Sequence, residues 1–382
     1  MKNILLFTRP LSPPWDEASK NLAYEIAFNS QKKNLRFEVL TTQNSAGYEK
    51  TLPDKIIQRK IYSKNRFDGY EKIRLILYFL LGKKSFQIIH FLFTPRLLTS
   101  FIIRSRLTLT SSKTIQTIAT IPDKNLQNKS KLKKILFADK IVAQSDYTLK
   151  KIQEKGFGNV ELIYPGINMK KFFPKNKLKK VLKEMKLNQN NFVVLFAGEY
   201  TRLRAIDDII KAAEIIFENG QNKDIKLILA CRIKSSQDKG KKEEIIQQVK
   251  QKSFSKQILF KETVENMADL YNLSDVNIFP VREMAGKFDI PLAIVEAMAC
   301  KKPVIISDIP VLQEFIKNEK NGLITPKANP EKLAENILKL KRNSKLREKI
   351  SQAGFNFVRK NFDIEKNIKK YHKLYQEMVK DN

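Results

Sequence analysis

Short, almost uninterrupted apolar runs separated by helix-length stretches recur along this chain, and they constrain the fold more tightly than any other feature. In the first half the runs are NILLFTR, FEVLTT, FQIIHFLF, KTIQTIAT and KIVAQSD; in the second they are NFVVLFAGEY, KLILACR, QILFKE and VNIFPV. A strand with one wet face alternates apolar and polar residues. Runs this continuous belong to sheets covered on both faces, and intervening helices imply parallel pairing. The expected class is α/β, built of doubly wound parallel sheets. Between the two series, VELIYPGINMKKFFPKN carries two prolines and leads into a Lys-rich helix ending near Lys186. That break places a boundary near residue 170, with a first domain over 1–170 and a second over 171–360. A length of 382 residues suits two such domains. The last helix, about 361–382, is expected to pack back on the first domain. Ligands of such sheets bind beyond the carboxyl ends of the strands, here in a cleft between the halves.

Charge narrows the partners. Lys and Arg number 72 against 40 Asp and Glu, a formal net charge of +32. Such a field attracts polyanions: anionic lipid, nucleic acid or phosphorylated substrates. The excess is 57 Lys against 15 Arg and is spread through the chain, which a Lys-rich codon bias explains in part. No helix-turn-helix, zinc or RRM pattern appears, so nucleic acid is not the expected partner. The basic segments Lys124–Lys140 and Lys170–Lys186 suit docking on anionic lipid, at about 1 kcal/mol per nearby charge; the alternative is two solvated faces. The opening MKNILLFTRP reads as a first strand rather than a signal peptide. The longest apolar patch, Leu75–Leu81, falls far short of the ~20 residues of a membrane span. A cytoplasmic protein, peripheral at the inner membrane face, is the expectation. Cys231 and Cys300 lie far apart in apolar contexts and read as small buried residues, not a disulfide.

The stretch Val276–Pro326 carries the most chemistry. Its helix PLAIVEAMAC is apolar around the whole circumference except at Glu296. A helix apolar on every face is buried, and an isolated carboxylate there costs several kcal/mol unless something pairs with it. A ligand hydroxyl is one candidate partner; neighbouring backbone is the other. The helix start, Asp289-Ile290-Pro291-Leu292, offers orphan amides and a dipole that favour an anion. Pro291 removes one donor, leaving the amides of Ile290, Leu292 and Ala293. No His, Cys and Asp cluster has metal-ligand spacing. Asp207 and Asp208 read as charges favouring a helix dipole.

Six segments carry a resemblance in order: QSDYTLKKI, ELIYPGINMKKFFP, LFAGEYTRLRAIDDIIKA, LYNLSDVNIFPV, PLAIVEAMACKKPVIISDIPVLQEFI and NGLITP. Together they are similar to the GT-B retaining glycosyltransferases of family 4, the glycosyl transferases group 1. The resemblance implies two Rossmann-like doubly wound domains facing across a cleft. It also implies sugar transfer from a nucleoside-diphosphate donor with retention at the anomeric carbon, without a metal or other cofactor. On the donor side it implies that Glu296 accepts hydrogen bonds from the ribose hydroxyls, near Gly198 and the amides of Ile290, Leu292 and Ala293. Arg204 takes the place of a basic residue near the diphosphate, with Arg202 a substitute for a second, because Glu199 stands where the family has another cation. Phe288 replaces the family's second glutamate. Asp289 and Glu283 are candidates to stand in for it, and Lys287 is a further polar group on that loop. Arg204, Arg202 and Asp289 form the expected catalytic set.

The acceptor side is thinner. TRPLSPPWDEASKNLA matches the family's first strand–helix junction without its glycine pair; Ser19 lies there, and Trp15 lines the acceptor or covers the helix. Ala119 stands where many relatives carry a histidine. His90 ends the run FQIIH and reads either as cleft-facing or as a core histidine. A nucleotide sugar and a glycan or lipid-linked acceptor, as in polysaccharide biosynthesis, are the implied partners. Because Ala119, Glu199 and Phe288 depart from one site, an inactive scaffold that binds nucleotide sugars or a partner is the rival reading.

Overall fold

A computed structural model describes residues 2–12, 18–29, 35–42, 56–64, 67–82, 86–93, 96–262, 264, 266–284 and 289–380. The chain divides into two compact units. The first comprises 1–166, 286–289 and 364–382; the second comprises 167–285 and 290–363.

The first unit is built on a seven-stranded sheet. Its strands are β1 (Lys2–Phe7), β2 (Leu35–Thr42), β3 (Ile57–Tyr62), β4 (Ile88–Leu92), β5 (Lys113–Ile118), β6 (Lys140–Ala143) and β7 (Val160–Leu162). Their order is β3-β2-β1-β4-β5-β6-β7, and every pairing is parallel. The helices are α1 (Ala18–Asn29), α2 (Gly69–Leu81), α3 (Leu97–Leu107), α4 (Asp123–Leu126), α5 (Lys129–Ile135) and α6 (Asp146–Gln153). The chain winds outward from β1 in both directions, and right-handed crossovers then place helices on opposite faces. One face holds α1 residues Leu22, Tyr24 and Ile26 with Ile368, Tyr371 and Tyr375 of the C-terminal helix, Ile364–Lys380. The other holds Leu75 and Phe79 of α2 with Ile103 of α3, over Phe7 and Phe91. Gly166, the last residue of this part of the unit, is approached so closely by the C-terminal helix that a Cβ there would lie 2.5 Å from the Cα of Ile364.

The second unit repeats the plan with β8 (Phe192–Glu199), β9 (Ile225–Arg232), β10 (Ile258–Lys261), β11 (Val276–Phe279), β12 (Val304–Ser307) and β13 (Leu323–Thr325). The order is β10-β9-β8-β11-β12-β13, again with parallel pairing throughout. Its helices are α7 (Lys179–Glu184), α8 (Ile206–Ile216), α9 (Ser236–Lys250), α10 (Met267–Leu273), α11 (Leu292–Ala299), α12 (Pro310–Gln313), α13 (Pro330–Arg342) and α14 (Ser344–Asn361). Strands β8, β9, β11 and β12 are buried along nearly their whole length, as the continuous apolar runs require. Cys231 and Cys300 are free and buried.

Candidate active site in the second unit

Strand order reverses direction between β8 and β11. At such a switch point the loops leaving adjacent strands part, and a ligand finds room beyond the carboxyl ends. Residues 199–204 leave β8 and residues 280–284 leave β11 at this edge. Gly198 sits at the end of β8 because a Cβ there would approach the Phe196 ring to 2.4 Å.

Glu296 stands in the second turn of α11, whose neighbours Ile294, Val295, Ala297 and Met298 are all buried. The helix offers it nothing polar, and its partner comes from α10: the Tyr271 hydroxyl donates to Glu296 Oε2 at 3.0 Å. Burial pushes the Glu296 carboxyl up to about 7, against the opposing pull of the Tyr271 hydrogen bond and the fields of Lys171 and Arg232. Burial, reinforced by the neighbouring Glu296, holds the Tyr271 phenol far above its ordinary range, so it remains a donor. A half-buried carboxyl that accepts from Tyr271 keeps acceptor capacity for a ligand. The first turn of α11 has Pro291 at its N-cap without a side-chain cap, and Ile294 and Val295 are the first residues to donate back to Pro291. The amides of Leu292 and Ala293 therefore head the helix dipole.

Arg204 occupies the left-handed region at φ 52°, uncommon for a residue with a side chain. Its amide donates to the Thr201 carbonyl at 3.2 Å, and its guanidinium lies 3.6 Å from Glu283 on the β11 loop. Two clamps hold the turn. Thr201 donates through Oγ1 to Asp238 at 2.7 Å, while Ser235 Oγ and the Lys234 amide donate to the other oxygen. Burial raises the Asp238 carboxyl, but these hydrogen bonds outweigh it and hold the group below its usual range. The second clamp is Arg282, which grips buried Asp208 of α8 at 2.9 and 2.6 Å and donates its amide to the Leu203 carbonyl at 3.0 Å. Asp208 is thus more than a dipole charge; Asp207, expected in the same role, pairs with Lys241 at 2.8 Å.

Sequence reasoning singled out Glu199 but missed other members of this site. Glu199 is turned inward, 3% exposed, and its charge is met by Lys234 at 3.4 Å. Arg232, opposite Glu199 in the β8–β9 register, brings a cation to the strand end and its field to Glu296. Tyr271 lies in LYNLSDVNIFPV, a segment that carries the resemblance but gave this tyrosine no site role, and Arg232 and Lys234 belong to a segment read only as scaffold. Arg202 is exposed on the same turn as Arg204, and Glu283 is the exposed partner of Arg204.

Other expected residues lie elsewhere. Asp289 belongs to the first unit and Ile290 to the second. Its carboxylate is buried and accepts from Ser145 Oγ at 2.6 Å and Thr148 Oγ1 at 2.5 Å, while its amide donates to the Ala119 carbonyl. Burial raises its pKa against those hydroxyls and Thr120. These bonds occupy Asp289 in holding the loop to α6, which corrects its place in the catalytic set. His90 is a core residue, not an acceptor contact. It is fully buried between Tyr375 Oη and Thr117 Oγ1, each at 2.7 Å, and burial lowers its pKa to about 3. Ser19 is half-buried near the start of α1. Beside it Lys20, not singled out in the sequence, is buried and donates to the Ser12 carbonyl at 2.6 Å. Trp15, Lys287 and Phe288 fall outside the described residues.

Known proteins match this arrangement. Residues 179–357 match the family Glycosyl transferases group 1. An uncharacterized glycosyltransferase of Methanocaldococcus jannaschii is 27% identical over 63% of this chain and 60% of its own. The capsular polysaccharide biosynthesis glycosyltransferase CapM of Staphylococcus aureus is 26% identical over 64% and 60% respectively. The chain thus spans about three fifths of the length of these curated relatives. Among solved structures, Anabaena HepE in complex with UDP and glucose superposes with a TM-score of 0.77 at 16% identity, covering 98% of this chain and 99% of that one. Sucrose-phosphate synthase from Thermosynechococcus elongatus gives 0.80 at 17% identity over the full length of both. These likenesses carry the fold, two parallel-sheet domains of the GT-B type. The clamped β8–α8 turn, Glu296 and the head of α11 all fall inside residues 179–357, the segment that matches the family Glycosyl transferases group 1.

Proposed function

We propose that this chain is a retaining glycosyltransferase that moves a sugar from a nucleoside-diphosphate sugar to a glycan or lipid-linked acceptor. The observation that carries the reading is Glu296: a half-buried carboxyl, with a pKa near 7 and one tyrosine donor, on an otherwise apolar helix at the switch-point edge. Ribose hydroxyls donating to it supply what the protein leaves unmade. The diphosphate lies at the head of α11, where the Leu292 and Ala293 amides and the guanidinium of Arg204 meet it. In the transfer step the bond from the anomeric carbon to the diphosphate oxygen breaks and a bond to the acceptor oxygen forms on the same face. The acceptor proton passes to the departing phosphate oxygen. Negative charge grows on the leaving group, and fixed cations stabilise it most where water is excluded. Arg204, with Arg202 and Arg232 at the same strand ends, is assigned that work, so transfer is expected to persist in EDTA. The UDP complexes of the similarly folded HepE and the polysaccharide role named for CapM support the donor and acceptor classes.

One observation favours a second reading, an inactive nucleotide-sugar binder: Glu199 stands as an inward carboxylate and Ala119 is buried, where the resemblance implies a cation and a histidine. A thermal-shift and turnover screen against UDP- and GDP-sugars separates the two. A transferase shifts and releases nucleotide with one donor, whereas a binder only shifts. Glu296→Ala is expected to remove the shift. Arg204→Ala is expected to lower turnover roughly 10²–10³-fold, the cost of losing one group that stabilises developing charge. Unchanged donor binding by Glu296→Ala overturns the site.

A further inference from the structure

We propose that the outward face of α2 and α3, with α5 beside it, is a docking surface for an anionic lipid bilayer. This assignment is independent of sugar transfer. It also differs from the two basic segments expected from the sequence, sharing only α5 with them.

The α2 sequence GYEKIRLILYFLL is apolar on two opposite faces. Glu71, Leu75 and Phe79, four residues apart, face the core. Ile73, Leu77 and Leu81 repeat the same spacing on the other side and are exposed, Leu81 to 74%. On α3, Leu97, Leu98 and Phe101 are likewise exposed, Phe101 to 70%. A surface helix ordinarily turns a polar face to water. Eight of the fourteen exposed large apolar side chains among the described residues lie on these two helices, a concentration rather than the usual single scattering. The helices share one face of the sheet, packing through Leu75, Phe79 and Ile103 into one cluster. Arg106 Nη2 donates to the Gly82 carbonyl at 2.9 Å, joining their carboxyl ends. Arg104 Nη2 donates to the Leu136 carbonyl at 2.6 Å, which ties α3 to the end of α5.

Charge identifies the occupant. The one carboxylate within these three helices is Glu71, fully buried and accepting from the Ser63 and Lys64 amides. Lys72, Arg104, Lys131, Lys133 and Lys134 are exposed. Two copies of this face would bring like charges together with no acid to pair them, which disfavours a symmetric dimer. A lipid interface takes both features at once, apolar side chains below the phosphates and cations among them. No helix of the described residues is long and apolar enough to cross the bilayer, so docking is in the plane.

The test is flotation of the full chain with vesicles of phosphatidylglycerol and phosphatidylcholine, or of phosphatidylcholine alone. The protein is expected to float with the anionic vesicles and to be released by high salt. The pair Leu77→Gln and Phe101→Gln is expected to lower partitioning roughly tenfold or more. Lys133→Glu with Lys134→Glu should do the same at low salt by roughly tenfold or more. Lys345→Glu with Lys349→Glu on α14 makes the same change in net charge elsewhere and is expected to have little effect. Circular dichroism melts check that each variant is folded; if the glutamine pair melts early, Leu98→Gln asks the same question with one change. Failure to float with anionic vesicles overturns the proposal. So does equal loss in the α14 variant, or a self-association that Leu77→Gln and Phe101→Gln abolish.

Discussion

Glu296 keeps an ionisable group where its own helix provides no partner, and Tyr271 meets only part of its need. Its pKa sits near 7 rather than the ordinary 4.5. Between those values the folded chain holds a proton that the unfolded chain has released, so stability falls as pH rises through that window. Glu296→Gln removes the effect. The variant is expected to gain on the wild type between pH 5 and pH 8, by on the order of 2 kcal/mol after allowing for partial exposure; melts at the two pH values measure it, and equal differences at both refute it. That Glu296 lacks a partner on its own helix was legible in sequence, because a lone charge on an apolar helix stands out. Tyr271, Arg232 and Lys234 were not legible, because each lies next to its partner only once separate strands and helices have packed. The place of His90 at a strand end fitted either a cleft or the core, and the hydroxyls of Thr117 and Tyr375 decided for the core.

The β8–α8 turn is held by a carboxylate that lies outside it. Asp238 of α9 accepts from Thr201, Ser235 and the Lys234 amide, and it fixes the conformation in which Arg204 keeps its positive φ. Asp238→Ala is expected to cost about 2 kcal/mol, from a lost cap and unpaired donors. By releasing Arg204 it should also lower turnover more than it weakens donor binding. A variant destabilised but unchanged in turnover would assign Asp238 to stability alone, while Asp238→Asn should recover part of both losses. Elements differed in legibility. The buried strands announced themselves as apolar runs, whereas β3, with Gln58, Arg59 and Lys60 inside IQRKIY, went unread as a strand because it is a sheet edge with alternating exposure. The same physics hid the outer face of α2: a run of apolar residues does not say which of its sides the core will cover.

Across the whole molecule, the C-terminal helix belongs to the first unit although the chain enters it from the second. It buries Ile368, Tyr371, Leu374, Tyr375 and Met378, and Tyr375 satisfies His90. Deleting 364–382 strips several large side chains of their burial, each worth about 1.5–3 kcal/mol. That exceeds what a domain of ordinary stability can lose. The truncated chain is expected to lose the cooperative melt of the first unit and to be cleaved there by protease, while 167–363 persists; a resistant first unit would refute this. The sequence by itself determined the two parallel α/β sheets, the buried cysteines and the lone carboxylate of Glu296 on an apolar helix. These follow from local apolar periodicity and from the cost of a lone charge among apolar neighbours, both readable over a few residues. Only the tertiary structure decided that Asp289 and Ile290 part into different units, that Lys234 answers Glu199, and that one basic helical face stays uncovered. Those outcomes depend on which distant segments become neighbours, and no local stretch of chain carries that information.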